Sequence, residues 1–151
     1  MFNFEISDLD SQNIRRKTLQ MVEYICDEFQ LKNDFGTLSL AVEELIDQIL
    51  WISPETDFET SVGFFIEPTK LSLHIHHNHA LSELKKILYN TDLLDDTSLF
   101  TISQLTDEIE FYNEDQDIAV TFHVKPNIQY SEKKIGQNQV YAEKYSKDCK
   151  K

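Results

Sequence analysis

The sequence predicts an α+β domain: a two-layer sandwich in which a mixed or antiparallel sheet carries its helices on one face. Some stretches repeat apolar residues at spacings of three and four. Others alternate apolar and polar residues. Their order is a strand, two helices, a hairpin, two further helices and a closing strand pair, without the strand–helix–strand alternation of a Rossmann sheet.

Phe2, Phe4 and Ile6 alternate with Asn3 and Glu5, the period-two pattern of a strand. Ser7, Asp8 and Ser11 then offer helix N-caps. The helix that follows has a stripe of Ile14, Thr18, Met21, Val22, Ile25 and Phe29. Lys32 to Gly36 is a break. A second helix, from about Thr37 to Trp51, lines up Leu38, Ala41, Leu45, Ile49 and Ile52, and Ser53-Pro54 stops it. Phe58–Ile66 and Leu71–His77 read as strands joined at Glu67-Pro68-Thr69-Lys70, where Pro fixes the φ of a turn. Ala80–Tyr89 has helical spacing, Asn90–Thr97 reads as a polar acidic loop, and Ser98–Ile109 is helical again. Ile118–Val124 alternates as the last strand, with Glu110–Tyr112 leading into its neighbour.

These elements divide the chain into a body, 1–125, and a polar basic tail, 126–151. The tail holds 6 Lys against 3 acids, so with a total of −13 the body carries −16. A body of that charge repels nucleic acid and anionic membranes, which leaves proteins with a basic face as expected partners. No stretch approaches the roughly 20 apolar residues of a membrane span. With no basic, apolar start and with Cys26 and Cys149 in unrelated contexts, the expectation is a cytoplasmic protein without a disulfide framework. Cys26, on an apolar helix face, reads as a small hydrophobe. Trp51 and the Phe residues read as core, because aromatics dominate cores. Ser53, Ser82, Ser98 and Ser103 show no His-Asp arrangement in sequence that would make a nucleophile.

The second helix reads Leu40-Ala41-Val42-Glu43-Glu44-Leu45-Ile46-Asp47-Gln48-Ile49. This segment resembles the first ATP-site motif of the histidine-kinase-like ATPase (GHKL) superfamily, above all its anti-sigma-factor serine kinases. The family has a Glu followed four residues later by an Asn, which stack as neighbours on one helix face. The resemblance implies Glu44 as the catalytic base and Gln48 as the Mg²⁺ ligand. Gln is a methylene longer than Asn, and Mg²⁺ demands near-ideal octahedral geometry. The strand Leu71–His77 and the residues to His79 resemble the approach to the family's Asp-x-Gly box, whose Asp reads the adenine. Here His77 and His79 stand at the Asp and Gly positions. A neutral His lacks the carboxylate charge, and a side chain takes up space at the Gly. Ser98–Phe111 resembles the family's next helix and strand, but Asp95-Asp96-Thr97-Ser98 replaces the phosphate-cradling glycines, and paired aspartates repel a triphosphate.

With all three boxes altered, the expected function is that of a degenerate, non-catalytic ATPase-fold protein. It would act in regulation through protein contact, with a sigma factor or an anti-sigma antagonist as the partner the resemblance implies and a homodimer as a further option. An ATP- and Mg²⁺-binding serine/threonine kinase with a diverged pocket is the alternative. A third option uses the cluster His74, His76, His77 and His79 to bind metal, since a His-x-His pair on one strand face can hold Zn²⁺ if a further ligand is found.

Overall fold

The computed structural model describes residues 2–53, 57–90 and 97–129. In chain order the elements are β1 (Phe2–Leu9), α1 (Ile14–Glu28), a 3₁₀ turn (Lys32–Asp34), α2 (Phe35–Ile52), β2 (Thr60–Glu67), β3 (Lys70–His77), α3 (Ser82–Tyr89), α4 (Thr97–Leu105), β4 (Glu108–Tyr112) and β5 (Asp117–Phe122). All strand pairings are antiparallel, and the sheet order is β1-β2-β3-β5-β4. The α+β sandwich expected from the sequence is therefore the observed architecture.

Alternation decides which sheet face is covered. Ile6, Val62, Phe64, Ile66, Leu71, Leu73, Ile75, Ile118 and Val120 are buried on one face, at the period of two that a pleated strand imposes. The α1 stripe of Ile14, Thr18, Met21, Val22, Ile25 and Phe29 packs against it with every member buried. From α2 come Leu38, Ala41, Val42, Leu45, Ile46 and Ile49. Fully burying one such aliphatic side chain is worth about 1.5–3 kcal/mol, so this common core holds the layers together.

Element boundaries shift from the sequence expectation, most at β1, at α1 and at the last helix. β1 runs on to Leu9, past a register shift between Ile6 and Leu9 where Asp8 has φ 58°. The cap of α1 thus comes from Asp10, whose Oδ1 accepts from the amides of Gln12 and Asn13 at 2.9 Å, while Asn13 Oδ1 accepts from Asp10 N at 2.8 Å. At the other end, Gln30 takes φ 55° and the Leu31 amide reaches back to the Cys26 carbonyl at 2.8 Å, the bond that closes a Schellman cap. The last helix stops at Leu105 rather than Ile109: Ile109 pairs with Val120, and the ladder of β4 on β5 takes over from the helical spacing.

Two tight connections join neighbouring strands, and the second also ties the sheet to the helix layer. Glu67 and Lys70 pair across a two-residue Pro68-Thr69 loop. Asn113, Glu114 and Asp115 all adopt positive φ between β4 and β5, and Asp115 is tied to the start of α3. Its carbonyl accepts from Leu81 N at 2.6 Å, and its carboxylate accepts from Ser82 Oγ at 3.0 Å and Lys85 Nζ at 3.3 Å. Beyond residue 125, Pro126 is buried, Ile128 packs against the core, and Asn127 N donates to Phe29 O at 2.9 Å. The start of the tail is thus held to the body. The acidic segment 91–96, the Asp95-Asp96 pair and the tail from 130 onward lie outside the described residues.

Candidate functional site

Glu44 and Gln48 are both half-buried on one flank of α2, one turn apart, with Glu43 exposed beside them. The same flank carries Leu40, 44% exposed, and Trp51, 85% exposed. Trp51 is therefore not core, contrary to the expectation from its residue type. Its position follows from helical phase. The buried side of α2 is set by Leu38, Ala41, Val42, Leu45, Ile46 and Ile49, and residue 51 falls away from it. On the outward side Asp47 takes an ion pair with Arg15 of α1.

The histidine cluster is split by the pleat. His77, the last residue of β3, is fully buried on the helix side. One ring nitrogen, Nδ1, sits 2.7 Å from Thr60 Oγ1 on β2, and the other, Nε2, sits 2.9 Å from Ser53 Oγ at the end of α2. The Phe58 ring packs 4.6 Å from the imidazole. Burial pushes the His77 pKa down from 6.5 to about 4, and the neighbouring His79 adds to the effect. The imidazole is thus a neutral linker between the sheet and α2. Ser53 does have a histidine partner, which the sequence spacing hid. Its histidine is backed by a hydroxyl, without the carboxylate that orients the imidazole of a Ser-His-Asp triad. His79 lies beyond the strand; its Nε2 is buried without a hydrogen-bond partner among the described residues, 3.8 Å from Asp57 Oδ2.

His74 and His76 stand on the opposite face, which none of the described helices covers. His76 Nδ1 meets Asp117 Oδ1 at 2.5 Å, and Asn113 Nδ2 donates to the other Asp117 oxygen at 2.9 Å. His74 Nδ1 meets the Tyr112 hydroxyl at 3.0 Å, with the Phe65 ring 4.5 Å away. Sequence alternation foretold the two-face division. The partners come from β4, β5 and the loop between them, roughly forty residues on by the spacing of these pairs, and no local pattern announced them.

A concavity of about 660 Å³ runs along α1 and the 3₁₀ turn, lined by Gln20, Glu23, Tyr24, Asp27, Lys32 and Phe35 among others. A smaller one, about 200 Å³, lies between the end of α3 and the start of β4. Neither touches Glu44, Gln48, His77 or His79. Cys26 borders the larger one but is buried, and burial pushes its thiol up to about 12, so it is held as an unreactive thiol. Among the described residues no helix is long and apolar enough to cross a membrane.

Comparison with models of known protein families finds no match, and comparison with curated proteins finds none.

Proposed function

We propose that this chain is a non-catalytic protein of the histidine-kinase-like ATPase build that works in regulation by contact with another protein. The observation that carries the reading is His77. It occupies the position where the resemblance puts a base-reading carboxylate, yet it is fully buried and both ring nitrogens are engaged by Ser53 and Thr60. A nucleotide base would have to displace both hydroxyls and then find a neutral imidazole in place of a charge. The residues present do not fit a nucleotide at that position.

The partner side of the proposal rests on the acidic body and on Trp51. Most interface energy comes from a few anchors, and Trp is among the residue types enriched there. A Trp left 85% exposed on an acidic flank suits a protein with an apolar pocket rimmed by Lys or Arg. A sigma factor or an anti-sigma antagonist is the partner class that the resemblance supplies, and self-pairing into a homodimer is the competitor.

One arrangement favours the kinase reading: Glu44 and Gln48 share a half-exposed flank one turn apart, as a base and a metal ligand must. Calorimetry with ATP or ADP and Mg²⁺, on wild type and Glu44→Ala, separates the two. The expected result is no binding at millimolar nucleotide. Mg²⁺-dependent binding that weakens in the variant overturns the non-catalytic reading.

A further inference from the structure

The sheet face that no described helix covers carries two imidazoles arranged as metal ligands are. His74 and His76 are two residues apart on β3, which puts their Cα atoms roughly 6.6 Å apart on the same face, from a rise of about 3.3 Å per residue. Both rings are anchored through Nδ1, and both anchors come from the β5 side. His76 Nδ1 is held by Asp117, which lies directly across from it on β5. His74 Nδ1 is held by Tyr112, whose hydroxyl reaches over β5 past Ala119, the small residue opposite His74. With Nδ1 engaged on the β5 side, Nε2 is the ring nitrogen of each that is left to meet a ligand. Across from them on β2 stand Gly63 and Ser61, and the Phe65 ring lies beside Gly63 and against His74, which leaves the more open approach on the His76 side. Among the described residues neither Nε2 has a hydrogen-bond partner.

Such anchoring is what fixes a ligating histidine. A carboxylate or another oxygen on one ring nitrogen sets the tautomer and raises the basicity of the other, which binds the metal. Asp117 has the further restraint of the Asn113 amide, and the Phe65 ring against His74 limits how far that imidazole can rotate. Both histidines keep solvent access: His76 has a side chain 52% exposed, and His74 is half-buried.

We infer that His74 and His76 chelate a divalent transition-metal ion through their Nε2 atoms on the open face of the sheet. Imidazole pairs select borderline ions such as Zn²⁺, Ni²⁺ and Cu²⁺ over Mg²⁺ or Ca²⁺, which prefer oxygen. Among the described residues no group of three His, Cys, Asp or Glu side chains forms a ready-made ligand set. The pair therefore supplies two positions, and water fills the rest. His77 and His79 take no part, since they lie outside this face and His77 has both nitrogens engaged.

The test is a titration of the full chain with Zn²⁺, and separately with Ni²⁺, in a non-chelating buffer, followed by calorimetry. The expected result is one ion per chain, with affinity falling at least tenfold in His74→Ala and in His76→Ala and unchanged in His123→Ala. Asp117→Asn keeps the fold and the side-chain size and is expected to weaken binding about 10–100-fold, the usual cost of losing such an outer partner. Thermal melts of each variant without metal confirm that the fold is intact. Absence of binding to wild type overturns the inference. So does binding that survives the loss of both histidines, because the ion would then sit elsewhere.

Discussion

Lowering the pH is expected to loosen this fold, and His77 is the residue through which the effect can be isolated. Folded, its pKa is about 4, whereas the ordinary value is 6.5, so the folded state holds the imidazole neutral. The sign follows directly. The unfolded chain binds the proton more readily, so the stability contribution is complete above pH 6.5. It is lost as the pH falls from 6.5 toward 4 and is flat below that. At about 1.4 kcal/mol per pH unit, the shift amounts to roughly 3 kcal/mol. That is a large share of the 5–15 kcal/mol typical of a domain. Urea unfolding of wild type and of His77→Gln at intervals between pH 7.5 and 4 isolates the effect from the carboxylates, which both proteins share. The variant is expected to be less stable by about 1–3 kcal/mol at pH 7.5, since glutamine carries both polar atoms at its tip and cannot replace the two separate ring nitrogens, which leaves Ser53 or Thr60 unpaired in the interior. By pH 4 the gap should close or reverse. Two curves that stay parallel across the range would refute the account, because they would mean that His77 does not titrate differently in the two states.

Leu73→Ala is expected to cost about 2–5 kcal/mol in the same urea assay, because Leu73 is fully buried in the central strand and leaves a cavity. Arg15→Ala should cost less than about 1 kcal/mol, and less still in high salt, since both partners of its ion pair with Asp47 are substantially exposed. Glu114→Gly should raise stability by about 0.5–1 kcal/mol, read as a higher Tm, because φ 55° is costly for a side-chain-bearing residue and free for glycine. In a Cys149→Ser background, Cys26 should resist thiol reagents at pH 8 in the folded protein and react on unfolding.

What could be read in the sequence was what repeats locally. The α1 stripe and the β2–β3 hairpin declared themselves because a helix or strand that buries one face must space its apolar residues at its own period. Where two periods compete, the nearer one misleads. Ile102, Leu105 and Ile109 keep helical spacing, yet Ile109 is drawn into the ladder with Val120. For Trp51, residue type points inward while its phase on α2 points outward, and phase decides. At the histidines, alternation gave the faces, but Ser53 and Thr60, 24 and 17 residues from His77, give no signal until the chain is folded.

The order β1-β2-β3-β5-β4 also carries a consequence for how the molecule is made. The final hairpin enters the sheet with its later strand inward, so an interior place is filled by the last of the five strands to be synthesised. Until residues 117–122 dock, β3 offers a bare edge, and its inward side chains Leu71, Leu73 and Ile75 have β2 on one side and no strand on the other. An open apolar edge of that kind recruits other chains. A gene divided anywhere between β3 and β5 should therefore yield an amino-terminal fragment that aggregates, and adding back a peptide spanning β4 and β5 should rescue it.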